Sequence, residues 1–168
     1  MKKKFEASIV IPTFRLENVN KLKMLIDNNN FDKFEMIICI NGQNSQEILS
    51  SLENLIRDGL TLLVTEITGI EHSLNIGIEA ASGIYIIRVD DDDEYPPERW
   101  INSVSKIKYH DADMVANSCC NIKHDRLLEK TDFIFRNPIK HPSVIIKRDI
   151  LLKAGGYHGS KYAEDLDL

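Results

Sequence analysis

IYIIRVDDDDEYPPERW, residues 84–100, decides how the chain folds. Its first six residues are almost continuously apolar, which suits a strand covered on both faces, as in a parallel sheet flanked by helices. Four carboxylates follow at once, and Pro96-Pro97 stiffens what comes after. The same alternation is found upstream. Residues 7–11 (ASIVI) read as a buried strand ended by Pro12, and Leu16, Val19, Leu22, Leu25 and Ile26 then recur at helical spacing. Residues 35–40 (EMIICI) form a second strand, stopped by the turn signal Asn41-Gly42. Ile48, Leu49, Leu52, Leu55 and Ile56 mark a helix closed by Gly59, and residues 61–65 (TLLVT) a third strand. Leu74, Ile78 and Ala81 then make a helical stripe ending at Gly83, before the strand at 84–89.

Downstream, the pattern predicts a helix near 97–109, strands near 113–116 and at 143–147, and a short helix over 149–154 closed by Gly155-Gly156. Residues 117–137 are polar and weakly patterned, and read as a long loop. The β-α-β-α-β-α-β order implies a mostly parallel sheet flanked by helices.

With 168 residues the chain fits one domain with a substantial core, and 43% hydrophobic with 28% charged residues is an ordinary globular composition. A formal charge of −5 argues against nucleic acid as a partner. Lys2, Lys3 and Lys4 read as a solvated tail. Cys39 lies inside an apolar run and Cys119 and Cys120 are adjacent, so neither a disulfide framework nor a zinc site is indicated; reduced thiols and a cytoplasmic location are expected. No apolar stretch approaches the roughly 18 residues of a membrane span, and no signal-peptide core follows the lysines.

In open parallel sheets ligands bind beyond the carboxyl ends of the strands. Three polar clusters fall at such ends here: Thr13 with its neighbours, Asn41-Gly42 and the run Asp90-Asp91-Asp92-Asp93. Adjacent carboxylates repel and are costly to hold together without a cation. In an extended segment Asp90 and Asp92 would point to one side and Asp91 and Asp93 to the other. That spacing aims two carboxylates at one hard cation, Mn²⁺ or Mg²⁺, with substrate phosphates completing the shell. An EF-hand does not fit the spacing. Glu164-Asp165, followed by Asp167, form a second acidic cluster. A carboxylate there can take a proton from an attacking hydroxyl, although an acidic pair beside a helix start commonly serves the helix dipole alone.

From Ser8 to Leu168 the chain resembles the family 2 glycosyltransferases, which implies the GT-A fold, a Rossmann-like, mostly parallel sheet flanked by helices. SIVIPTF resembles the family's opening strand and turn, EMIICINGQNS the strand that ends in Asp-Asp-Gly-Ser, and SLNIGIEAASGIYIIRVDDDDEYPPERW the stretch from Ala-Arg-Asn-x-Gly to the D-x-D-D motif. KHPSVIIKRDILLKAGGY resembles a later strand and its Gly-Gly-Tyr turn, and AEDLDL the Glu-Asp-x-Asp-Leu motif. The resemblance implies transfer of a sugar, with inversion, from a nucleoside diphosphate sugar (a UDP-sugar favoured) to a hydroxyl of a glycan or lipid-linked acceptor. By the same correspondence Asp92 and Asp90 would hold Mn²⁺ or Mg²⁺, Asp90 and Asp91 would lie nearest the donor, and Pro12, Thr13, Asn41 and Asn75 would line the nucleotide pocket. Asp165 would be the general base, supported by Glu164.

Two departures stand out. Asn41 replaces a carboxylate expected to recognise the base or ribose, and Leu74 replaces an arginine near the diphosphate. Arg88 or His72 would restore that cation, Arg88 being alternatively a packed strand residue. His141 is either substrate-facing or a structural hydrogen-bonding group, Trp100 reads as core or interface, and Tyr157 as a turn-packing residue. Because the sequence stops within AEDLDL, residues 1–168 are expected to form one GT-A domain lacking its acceptor-side segment, through which peripheral association with the inner face of the membrane would occur. The other readings are a catalytically incomplete nucleotide-binding fragment and a sugar-phosphate nucleotidyltransferase. The latter would need a Gly-rich loop after the first strand, and PTFRLEN has none.

Overall fold

In the computed structural model, residues 4–96, 98–116 and 144–158 are described. Six strands form one sheet: β1 (Ala7–Thr13), β2 (Phe34–Ile40), β3 (Leu60–Val64), β4 (Tyr85–Arg88), β5 (Met114–Ala116) and β6 (Val144–Lys147). Among the described residues five helices flank it: α1 (Val19–Asn28), α2 (Ser45–Leu52), α3 (Ile70–Ala80), α4 (Arg99–Tyr109) and α5 (Arg148–Lys153). Short 3₁₀ turns precede α1 at Leu16–Asn18 and follow α2 at Glu53–Leu55. The expected loop at 117–137, Cys119, Cys120, His141, Glu164 and Asp165 lie outside the described residues.

Strand order is β3-β2-β1-β4-β6-β5. β1 pairs in parallel with both β2 and β4, and β2 with β3, whereas β6 runs antiparallel to β4 and to β5. The sheet is therefore the mostly parallel one expected, with one reversed strand that periodicity does not reveal. β1 extends through Pro12, where the sequence had suggested a stop. The Val10 carbonyl accepts from Val89 N on the β4 side, while the Thr13 carbonyl accepts from Asn41 N on the β2 side. Pro12 therefore turns toward the β4 side, beyond the end of that strand, where its missing N–H costs no ladder bond.

β1 and β2 are buried along their whole length, because their alternate residues feed two cores. Ile9, Ile11, Met36, Ile38 and Ile87 pack under α1, α2 and α4 through Leu22, Ile26, Leu52, Val104 and Ile107. Val10, Ile37, Cys39 and Ile86 face α3 and α5 through Leu74, Ile78 and Leu151. A Cβ on Gly77 would stand 2.5 Å from Val10 Cγ1 and 2.8 Å from Cys39 Sγ, so the absent side chain lets α3 lie directly on the sheet. At the opposite end of the strands from Thr13, Glu35 Oε1 accepts from Ser8 Oγ (2.5 Å), Ser82 N (2.6 Å), Ser82 Oγ (3.0 Å) and Gly83 N (3.0 Å). This buried carboxylate fastens the α3–β4 turn to the starts of β1 and β2.

The chain runs outward from β1 to β2 and β3, then returns to place β4 on the other flank of β1. The carboxyl ends of β1 and β4 thus frame the topological switch point, where doubly wound sheets leave a crevice.

Candidate active site

A cleft of about 410 Å³ opens at that point. From the end of β1 come Pro12, Thr13, Phe14 and Arg15, from the end of β2 Asn41 and Gly42, and from beyond β4 Asp90, Asp91 and Asp92. Thr68, Gly69 and Ile70 close it from the N-terminal end of α3. Local sequence explains the shape. Gly42 adopts a left-handed backbone (φ 80°) that turns the chain sharply after β2. Gly69, at φ 133°, does the same before α3. Asn41 Nδ2 donates to Ser73 Oγ at 2.6 Å, joining the end of β2 to the first turn of α3.

The aspartates do not alternate along an extended segment. β4 ends at Arg88, and residues 90–93 form a turn in which Asp93 N approaches the Asp90 carbonyl at 3.4 Å. Asp90, Asp91 and Asp92 therefore all border the cleft, each with its own partner. Asp91 is buried, 6% exposed, and its Oδ2 accepts from Thr13 Oγ1 at 2.6 Å across the switch point. Asp90 Oδ1 accepts from Arg88 Nε at 3.1 Å. Asp92, 51% exposed, accepts from Arg15 Nη1 at 2.7 Å, and its carbonyl accepts from Lys21 Nζ at 2.6 Å. The Tyr95 hydroxyl accepts from Asp90 N and donates to Asp93 Oδ2, which holds the turn from outside the cleft. Burial pushes the Asp90 carboxyl above the usual range against the pull of Arg88, and pushes Asp91 up against the Thr13 hydroxyl bond.

Other residues singled out from the sequence sit elsewhere. Asn75 is not part of the cleft lining: its Nδ2 donates to the Tyr157 carbonyl at 2.8 Å and its Oδ1 accepts from Tyr157 N at 2.8 Å. Leu74 is a core residue, 1% exposed. His72 Nε2 lies 3.2 Å from Thr65 Oγ1, and Arg88 is buried beneath Asp90 with its guanidinium 5.7 Å from the Tyr157 ring centroid. Neither lines the cleft. Trp100 is core, packed obliquely on Tyr95, and Tyr157 packs in the turn beside α5. Phe14, Arg15 and the Thr68–Gly69–Ile70 corner were not foreseen as site residues, although their nearness to a strand end and a helix start was the available signal.

Among the described residues no group of three or more His, Cys, Asp or Glu converges into a metal cage. Asp90 and Asp92 both border the cleft, and carboxylate oxygens are the ligand type of a hard cation that takes one or two from protein and the rest from phosphate and water.

Comparison with known proteins bears on the fold and the family. The chain is 27% identical over 159 residues to the O-antigen biosynthesis glycosyltransferase WbnJ of Escherichia coli, covering 84% of this chain and 61% of WbnJ. The crystal structure of S. aureus TarS 1–349 superposes with a TM-score of 0.71 at 18% identity, over 96% of this chain and 53% of that one. The same protein in complex with UDP-GlcNAc gives 0.66 at 18% identity, over 96% of this chain and 51% of that one. The chain thus spans about half to three-fifths of these relatives, and the structural likeness establishes a shared GT-A fold. The sequence profile of Glycosyl transferase family 2 matches residues 8–159, the stretch that carries both the sheet and the aspartate turn, and the chain belongs to that family.

Proposed function

We propose that this chain is the donor-binding and catalytic part of an inverting glycosyltransferase that uses a UDP-sugar. The observation that carries the reading is the cleft at the switch point, where Asp90, Asp91 and Asp92 face the ends of β1 and β2 and the N-terminal end of α3. A nucleoside diphosphate suits such a site, since the cleft is bordered by half-buried main chain at Gly42 and Gly69 and by Asn41, whose Nδ2 is taken up by Ser73 and Gly69 and whose Oδ1 can accept from a base or ribose. TarS, which shares the fold, was crystallised with UDP-GlcNAc, which favours a UDP-sugar donor, and WbnJ is named for O-antigen biosynthesis, which favours a glycan or lipid-linked acceptor.

Asp92, with Asp90, would hold Mn²⁺ or Mg²⁺, which when bound neutralises the diphosphate as leaving group. Thr13 anchors Asp91 and so holds the aspartate turn against β1. In the transfer, the acceptor hydroxyl oxygen bonds to the anomeric carbon as the bond from that carbon to the phosphate oxygen breaks. UDP leaves with the electron pair, and the hydroxyl proton passes to Asp165, with Glu164 supporting it. Such an enzyme would work at the cytoplasmic face of a membrane, drawing its acceptor from there. Among the described residues no helix is long and apolar enough to cross one.

Calorimetric titration with UDP and GDP, each with and without Mn²⁺, tests the donor assignment. UDP is expected to bind more tightly than GDP, and only with the cation. Absence of nucleotide binding, or binding indifferent to Mn²⁺, would refute the roles of Asp90 and Asp92. Asp165→Asn is expected to abolish transfer while leaving UDP affinity nearly intact; loss of both would reveal a structural residue.

A further inference from the structure

A dianionic diphosphate entering this cleft meets three carboxylates. Among the described residues that line it, Arg15 is the one lysine or arginine. Its backbone leaves β1 in an extended conformation (φ −105°, ψ 115°), which directs the side chain past the strand end. The guanidinium lies 4.9 Å from the Phe14 ring centroid, with Nη1 on Asp92 Oδ2 at 2.7 Å. Arginine carries five N–H donors in a flat fork. One is committed to Asp92, and the group is 39% exposed at the cleft wall.

An ion pair this open to water contributes little net stability, because solvent screens it and two side chains must be held still. An arginine–phosphate contact, often bidentate, is the stronger alternative. Neither of the other nearby cations lines the cleft: Arg88 is buried against Asp90, and Lys21 Nζ is on the Asp92 carbonyl. From this geometry we infer that Arg15 is a ligand of the donor diphosphate, held at the cleft by Asp92 and exchanging that carboxylate for phosphate oxygens when the donor enters. The exchange also opens Asp92 to a cation, so that phosphate and cation arrive as a pair rather than in competition for one carboxylate. Phe14 supplies the flat apolar surface over which the guanidinium turns.

This inference rests on the nucleotide-binding reading given above, and one titration series separates the two. UDP and uridine are titrated in the presence of Mn²⁺ into wild type, Arg15→Ala and Arg15→Lys, with thermal midpoints recorded for each. The alanine variant is expected to lose roughly tenfold or more in UDP affinity, the scale of a charge-assisted hydrogen bond, with uridine affinity and midpoint unchanged. Lysine, a point charge without the fork, is expected to recover part of the loss. If wild type binds UDP and Arg15→Ala binds it equally well, or loses UDP and uridine alike, the Arg15 assignment is overturned while nucleotide binding stands. If wild type binds no UDP, the function reading itself fails and the assignment falls with it.

Discussion

Asp91 is a carboxylate under almost complete cover whose side chain takes a short bond from Thr13. Burial holds its carboxyl and that of Asp90 above the ordinary range, so the folded state favours the protonated form of both. The stability that follows is fully present below the unfolded carboxyl pKa of about 3.9 and is lost as pH rises through the folded values. In chelator, to keep divalent cations away, Asp91→Asn is therefore expected to raise the thermal midpoint at neutral pH and to flatten its fall between acid and neutral pH. Melting curves across that range check the sign, and a midpoint lowered at neutral pH would contradict it. Burial likewise pushes the Cys39 thiol up to about 12. Cys39 is expected to resist iodoacetamide in the native protein near about pH 8.5, the ordinary thiol range, and to react once the chain is unfolded, as peptide mass spectrometry would reveal. What was legible at this scale was residue type rather than partner. The aspartate run announced a polar site, but its turn was invisible, because alternation assumes extended backbone. Arg15 gave no sign either, since its meeting with Asp92 spans the two flanks of the switch point.

α3 is the element on which both the core and the site depend. Its first turn borders the cleft at Gly69 and Ile70, and its middle lies on Val10 and Cys39 at Gly77. Gly77→Ala would gain helix propensity of up to about 1 kcal/mol but drive a methyl into the sheet, a strain of about 1–3 kcal/mol. The expected net result is a lower denaturation midpoint together with weaker UDP binding, as the helix start is levered from the cleft; unchanged affinity would show that the two ends of α3 move independently. At the far end of the sheet, Glu35→Ala would remove the acceptor of Ser8 Oγ and Ser82 N, while Gly83 N keeps Ser8 Oγ, and is expected to cost about 2 kcal/mol in urea unfolding, by the scale of hydrogen bonds lost from partly buried donors, with little change in nucleotide affinity. Elements themselves were readable where the physical pattern is strong: β1 and β2, apolar on both faces, and α3, with its i, i+4 stripe. The antiparallel direction of β6 was not, because alternation carries no sense of direction. The pairing of Asn75 with Tyr157 was equally hidden, joining residues that only the packed turn after α5 brings together.

For the molecule as a whole, strand order accounts for the position of the cleft better than any single motif does. Placing β2 and β4 on opposite flanks of β1 leaves a crevice between them, and the ends of β1, β2 and β4 open toward it. The sequence order of buried strands and helices was enough to expect a cleft at those ends with the acidic run at its border. Which face each carboxylate takes and which cation stands opposite depend on long-range packing. The most direct test is a crystal structure of the protein soaked with UDP and Mn²⁺. The account predicts the diphosphate beside Arg15 and the aspartate turn, with the cation on Asp92 and Asp90. A nucleotide bound away from the ends of β1 and β4, or a cation coordinated without either aspartate, would contradict it.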